Sequence, residues 1–361
     1  MNLAVMLFEC LFGQARVAND QGGHFQHAGF PTASPGKFGD EHLDVDCVAH
    51  YTDISRRYPI QMDCEMTKVD QAGEFHIGGE LRVRRFGFGA MRLTGKGVWG
   101  PPEDVPAAQN ILRRAIALGI NFIDTAGSYG PGDNERLIRD TLRPYPAGLV
   151  IGTKGGMRKT GPSTPENWGI ELDASEPFLR QGVEGSLRDL GVERIDLYQL
   201  HRVDPKIPVE DTMGVLARLR DEGKIRHVGL SAVSVEQIER ARTVIDIATV
   251  QNEYNLASRK HEDVLTFCER HTIGFIPFYP QQIGKLAEAE TLKAIAAREN
   301  ATPALVSVAW LLRRSPVMIA IPGTSSRAHL EENADACRIT LSDDDMAALE
   351  KLASPARATE N

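Results

Sequence analysis

Asp124 and Tyr129 sit five residues apart in the stretch NFIDTAGSYG, residues 121–130. Phe122 and Ile123 read as a buried strand, which puts the carboxylate and the phenol on the loop that leaves it, where chemistry is commonly housed. A phenol ordinarily gives up its proton near pH ~10, so it works as an acid or base near neutrality only if neighbouring charge stabilises its phenolate. A cation is therefore expected close by. The next apolar run, LVIGTKGG (149–156), delivers Lys154, and the run after it, RIDLYQLHR (194–202), ends on His201. Acid, phenol, ammonium and imidazole thus leave three successive strands at the same end, a set suited to general acid or base work near neutrality. Singly, each has a duller reading: a loop carboxylate, a packed aromatic, a core histidine. Lys154 resists it most, because burying a lysine without a carboxylate partner costs too much.

The elements that must position these groups alternate regularly. The glycine pair in FHIGGELRVRRFG, from Phe75, predicts a hairpin across Gly78-Gly79. Strands are expected at FGFGAM (86–91), FIDTA, LVIGTK, IDLYQLH, IRHVGLS, ATVQNEYN, GFIPFYP and VMIAIPG (317–323). Between them, Ala108, Ile111, Leu112, Ala115 and Ile116 mark one helix face ended by Gly119. Further helices fall over 134–142, 175–190, 209–222 and 259–271, with a Gly/Thr/Pro/Ser loop before the second. Ser234 with Gln237 forms a capping box, Thr302-Pro303 opens a helix through Leu312, and short helices follow near 327–336 and 342–353. Eight apolar strands separated by helices fit a closed parallel (β/α)8 TIM barrel over residues 75–355, with the hairpin at its bottom and a tail at 356–361. The site of such a barrel is built at the C-terminal strand ends, where every residue named above falls.

Bulk properties fit an ordinary globular chain: 361 residues, 42% hydrophobic and 25% charged. A net charge of −8 without a Lys/Arg-rich run argues against nucleic acid as a partner. No apolar run reaches the ~18 residues of a membrane helix, so the expected partner is a small molecule, met by a monomer or small homo-oligomer. The five cysteines lack CxxC spacing, which points to a reducing cytoplasm. Residues 1–74 show no periodicity and are expected to be an extension without its own core, or over-called sequence upstream of a start at Met62 or Met66. The spacings of His24, His27, His42, Cys47, His50 and Cys64 fit no zinc pattern, so no metal is expected.

The order Asp124, Tyr129, Lys154, His201 at three strand ends resembles the catalytic tetrad of the aldo-keto reductase family, and the likeness starts near Phe75. The resemblance implies an NADP-dependent oxidoreductase acting on a carbonyl substrate, with NAD left open. It also implies cofactor contacts residue by residue: Ser231 and Gln251 on the nicotinamide carboxamide, and Phe278 stacked on the ring. Ala232 replaces the usual asparagine, and Tyr279 and Gln281 depart from the commoner Tyr-Ser-Pro-Leu pattern. In IPGTSSRAHLEEN (321–333), Gly323, Thr324, Ser325, Ser326 and His329 match the adenosine-phosphate loop, with Arg327 close by, and Glu332 and Asn333 match adenine contacts. VWGPP, VQNEYN, WLLRRSP and HLEEN look most like the pyridoxal reductase-like branch. Trp99 and Trp168 lie on loops that could line an aromatic pocket.

Two other readings compete. A non-catalytic NADP-binding accessory barrel would share the fold but has no use for an intact tetrad. A Rossmann-type dehydrogenase would use Gly95, Gly97 and Gly100 of GKGVWG, with Asp124 ending the next strand. Pro101-Pro102 then follow where a helix N-terminus should open, and Tyr129, Lys154 and His201 are left unexplained.

Overall fold

The computed structural model describes residues 67–352. The expectations for residues 1–66, including the histidines and cysteines from His24 to Cys64, and for the tail 356–361 lie outside the described residues. Packing begins earlier than Phe75, because a 3-10 turn over Lys68–Ala72 buries Val69 and Ala72. Strands β1 (Glu74–Ile77) and β2 (Leu81–Arg84) then pair antiparallel, with Ile77 opposite Leu81. Gly78 is required at the turn on two grounds: its φ is +61°, and a Cβ there would lie 2.1 Å from the His227 ring. A Cβ on Gly274 would come within 3.0 Å of Phe75, so the hairpin sits where strand β11 (Gly274–Phe278) begins.

Strand β3 (Phe88–Gly89) is followed by β4 (Phe122–Asp124) and β5 (Val150–Gly155). A small antiparallel hairpin comes next, β6 (Met157–Lys159) with β7 (Ile170–Leu172), inside the stretch expected to be plain loop. After it come β8 (Ile195–Leu200), β9 (Ile225–Ser231) and β10 (Ile247–Glu253). Seven strands form one parallel sheet in chain order, from β3 through β4, β5, β8, β9 and β10 to β11. Residues 317–320 join its two edges: Ala320 exchanges backbone hydrogen bonds of 2.8 Å with Arg85 and Gly87, and Phe275 does the same with Val317 and Ile319. The sheet therefore closes on itself. The expected eighth strand is present only as isolated bridges at Met318 and Ala320, not as a ladder over 317–323. Pro322 has no N–H to extend it, and just beyond, a Cβ on Gly323 would sit 2.4 Å from the Gly89 carbonyl oxygen.

Ten α-helices are present among the described residues: α1 (Val105–Ala117), α2 (Asp133–Leu142), α3 (Glu176–Leu190), α4 (Val209–Asp221), α5 (Val235–Arg242), α6 (Glu262–His271), α7 (Glu290–Arg298), α8 (Pro303–Arg314), α9 (Arg327–Asp335) and α10 (Asp343–Leu352). Local chemistry fixes their ends. Asp104 accepts from Ala107 N at 2.9 Å to start α1, Ser234 and Gln237 close their capping box on α5, and Gly191 ends α3 in the left-handed region. α7 was not expected from the sequence.

The strand order contains no reversal, so there is no topological switch point of the Rossmann kind. The 95–100 loop closes on itself through Gly95 N to Gly100 O at 3.0 Å, and the next helix opens only at Val105, under its own Asp104 cap. The helix that follows in sequence therefore does not open directly onto the glycines. The dinucleotide-fingerprint reading of Gly95, Gly97 and Gly100 is therefore wrong.

Candidate active site

Side chains alternate sides along a strand. Lys154 on β5, Gln199 on β8 with His201 just beyond it, Ser231 on β9 and Gln251 on β10 accordingly point to one side, while Thr153 and Tyr198 point to the other. Asp124, at the end of β4, is where the inward set meets. Its Oδ2 accepts from Lys154 Nζ at 2.6 Å, and its Oδ1 accepts from Gln251 Nε2 at 2.9 Å and Gln199 Nε2 at 3.3 Å. Asp124 is 3% and Lys154 1% exposed. A buried ion pair persists only if the remaining polar valences are met, and here they are. Lys154 also donates to the Thr125 carbonyl at 2.9 Å and lies 3.5 Å from the Tyr129 hydroxyl.

This ammonium acts on two neighbours. Burial pulls the Lys154 pKa down, but the Asp124 carboxylate and the Tyr129 oxygen outweigh it and leave it raised, so the ammonium stays charged at neutral pH. For Tyr129, burial pushes the phenol up, and Lys154 pulls against it without reversing the direction. The ammonium thus lowers the phenol's pKa, as opposite charge should, but burial outweighs it and the net shift is upward. Tyr129 therefore keeps its proton near neutrality. Burial, with Lys154 and Arg202 adding to it, takes His201 well below its ordinary value, so the imidazole is neutral at pH 7. Its ring meets that of Tyr129 edge-on at 5.9 Å, and its Nδ1 lies 3.4 Å from Ser128 Oγ.

These groups open into a cleft of about 970 Å³ at the C-terminal strand ends. Asp124, Tyr129, His201, Ser231, Gln251, Phe278, Gly323 and Trp168 all line it. Trp99 does not: it is 41% exposed, and its neighbour Val98 faces the cleft instead. The loop is pinned, since Gly130 N donates to Val98 O at 3.2 Å and Ser163 N to Gly97 O at 2.7 Å. Sequence reasoning also missed Ser128, Gln199 and the β6–β7 hairpin, which brings Met157, Lys159 and Ile170 to the rim. Gln199 was findable, because it lies two residues before His201 on the same strand face.

A family model described as the aldo/keto reductase family matches residues 85–354. The chain belongs to the aldo/keto reductase family. It is 39% identical over 279 residues to pyridoxine 4-dehydrogenase of Escherichia coli strain K12, covering 75% of this chain and 96% of that one. It is 47% identical over 284 residues to an uncharacterized oxidoreductase of Schizosaccharomyces pombe, covering 78% and 90%. Among solved structures it resembles an aldo-keto reductase from Klebsiella pneumoniae in complex with NADPH, at a TM-score of 0.66 and 28% identity over 79% of this chain and 97% of that one. Glycerol dehydrogenase from Gluconobacter oxydans gives a TM-score of 0.71 at 26% identity, over 80% and 99%.

The remaining residues matched to this family's cofactor loop lie beyond the cleft lining. Thr324 is buried, and its Oγ1 accepts from Ser326 N at 3.0 Å; Ser325 is exposed. Ser326 caps α9, accepting from the backbone of the exposed His329 at 3.4 Å, and Arg327 is paired with Glu331. Asn333 accepts from Gln281 Nε2 at 2.6 Å, which ties α9 to the cleft wall. Glu332 turns away, toward Thr302 across a separate cavity. Ala232, in the asparagine position, has a left-handed φ of +56°, which an asparagine would tolerate better.

Behind Lys154, on the outer face of β5, Thr153 Oγ1 donates to Glu135 Oε1 at 2.6 Å. Burial pushes this carboxyl from 4.5 up to about 7, against the Thr153 and Ser186 hydroxyls that pull it down. A carboxyl raised on folding holds its proton longer in the folded state, so stability falls as pH climbs from the unfolded value towards 7 and levels off above it. The size of the rise corresponds to about 3 kcal/mol. Glu135→Gln should therefore flatten the decline of Tm between pH 5 and pH 8. Parallel melting profiles for the two proteins would refute the assignment.

Proposed function

We propose that this chain transfers a hydride between NADPH and the carbonyl carbon of an aldehyde, with pyridoxal or another aromatic aldehyde as the substrate and Tyr129 as the proton donor. The observation that carries this reading is the Lys154 ammonium held between the Asp124 carboxylate, at 2.6 Å, and the Tyr129 hydroxyl, at 3.5 Å. Bound nicotinamide supplies the hydride. Tyr129 gives its proton to the substrate oxygen as that oxygen gains negative charge, and Lys154 stabilises the phenolate left behind. Asp124 keeps Lys154 charged and aimed. In this reading neutral His201 carries its one ring hydrogen on Nε2, with Nδ1 accepting from Ser128, and bonds the carbonyl oxygen to polarise it. Run backwards, the same groups oxidise an alcohol.

The cleft residues fit a nicotinamide cofactor. Ser231 and Gln251 supply amide-binding groups, and Phe278 a flat face beside them. Thr324, Ser325, Ser326 and His329 at the start of α9 suit a 2'-phosphate, which favours NADP over NAD. The NADPH complex of the Klebsiella relative supports the cofactor, and the identity to pyridoxine 4-dehydrogenase supports the substrate class. Free, buried Cys268 and Cys337 accord with a cytoplasmic setting, and no helix among the described residues is long and apolar enough to cross a membrane.

The test is loss of NADPH absorbance with pyridoxal and a panel of aromatic and aliphatic aldehydes, with NADH in parallel. Turnover of aromatic aldehydes with NADPH ahead of NADH is expected. Tight NADPH binding without turnover of any aldehyde or alcohol would favour the accessory reading.

A further inference from the structure

The cleft is charged in a way that neither the tetrad nor the cofactor loop accounts for. Arg92, just after β3, and Arg202, directly after His201, both line it. Neither meets a carboxylate among the described residues, and Asp124, the sole carboxylate in the lining, is already taken by Lys154. Arginines elsewhere are commonly matched: Arg180 with Glu176 and Glu222, Arg240 with Glu210, Arg298 with Asp345. A third cation of the rim, Lys159, is held by neutral oxygens, Ser163 Oγ and the Trp168 carbonyl, both at 2.5 Å.

Both arginines share the cleft lining with Tyr279. The phenol of Tyr279 is 37% exposed, and its pKa is raised by burial and by the Glu253 carboxylate, with Arg202 and Arg92 pulling the other way. Tyr279 has a left-handed φ of +57°, which a bulky side chain seldom adopts, and its carbonyl accepts from Asn255 Nδ2 at 3.1 Å. Its ring stands edge-on to Phe278 at 5.3 Å. Backbone strain of this kind persists where the surroundings impose it, and it concentrates at binding sites. Here it presents a phenol and an aromatic edge to the cleft that Arg92, Arg202, Tyr129 and His201 also line.

We infer that Arg92, Arg202 and Tyr279 form an anion subsite in this cleft, so that the preferred aldehyde carries a carboxylate or phosphate away from its carbonyl. The inference rests on the carbonyl-reducing reading and narrows its substrate class. Guanidinium forks suit both oxyanions, and both arginines are exposed at the cleft, where an anionic group can reach them.

The experiment compares kcat/KM for benzaldehyde and 4-carboxybenzaldehyde, and for pyridoxal and pyridoxal 5'-phosphate, in the wild type, Arg92→Met and Arg202→Met. NADPH dissociation constants are measured in parallel. The wild type should favour the charged member of at least one pair by about tenfold or more, the scale of one charge-assisted hydrogen bond. Which pair responds tells carboxylate from phosphate. Either variant should lose that preference through KM while keeping its affinity for NADPH; Arg92→Met should also keep its rate on the neutral aldehyde, whereas Arg202→Met, which removes a charge acting on His201, is read by the ratio of charged to neutral aldehyde. Equal use of charged and neutral aldehydes, or an unchanged preference in both variants, overturns the subsite. A loss confined to NADPH affinity overturns it too, and assigns the arginines to the cofactor's own phosphates. Binding of 4-carboxybenzyl alcohol against benzyl alcohol, followed by tryptophan fluorescence, reads the same preference without turnover. A failure of the carbonyl-reducing reading is thereby distinguishable from a failure of the subsite.

Discussion

Tyr129→Phe should lower kcat by roughly 10² to 10⁴, the range for removing a positioned general acid, while the dissociation constant for NADPH changes by less than about twofold. The substitution deletes one oxygen and leaves the ring against His201. The Lys154 ammonium keeps its 2.6 Å bond to Asp124 and its 2.9 Å bond to the Thr125 carbonyl, so the ion pair does not depend on the phenol. Ser231, Gln251 and Phe278 are untouched. A fall in kcat and kcat/KM by the same factor would mark an interaction made only in the transition state. Retention of most of the rate would remove Tyr129 from the acid role, and a large loss of NADPH affinity would mean that the phenol serves binding.

Asp124→Asn should cost about 3–5 kcal/mol of stability, because it leaves an ammonium buried with only neutral partners. Asparagine fills nearly the same space, so packing contributes little to the loss. The paired substitution Asp124→Asn with Lys154→Met removes both charges and should recover a substantial part of the stability without recovering activity. Urea midpoints for the two single variants and the double variant measure the coupling. Additive losses would mean that the two groups do not act as a pair in the folded protein.

The barrel was readable because parallel strands covered on both faces become short apolar runs, and LVIGTK, IDLYQLH and IRHVGLS are such runs. The site was readable for a related reason: polar side chains ending apolar runs, as Lys154 and His201 do, have few structural uses. The β6–β7 hairpin was not readable. Its strands, Met157–Lys159 and Ile170–Leu172, are three residues each and exist through pairing across a polar loop that carries no period of its own. The α7 helix is a different case, since Leu292, Ile295 and Ala296 lie at i, i+3 and i+4 and are all buried, a pattern present in the sequence. Trp99 shows the limit of residue type as a guide. Its backbone neighbour Val98, at a left-handed φ of +58°, takes the inward place that the larger aromatic was expected to fill. The direction of the Tyr129 shift depended on how burial and the nearby ammonium balance, and burial is a property of the folded cleft that spacing along the chain does not reveal.

Hydride transfer itself can be followed directly. NADPH carrying deuterium at C4 of the nicotinamide, prepared in each of its two stereochemical forms, is incubated with the protein and an aromatic aldehyde, and the alcohol formed is weighed by mass spectrometry. One form should place a single deuterium on the former carbonyl carbon, the other form none, and Tyr129→Phe should form almost no product from either. Alcohol free of deuterium from both forms, or no alcohol from the wild-type protein with any aldehyde offered, would contradict the reaction assigned to this cleft.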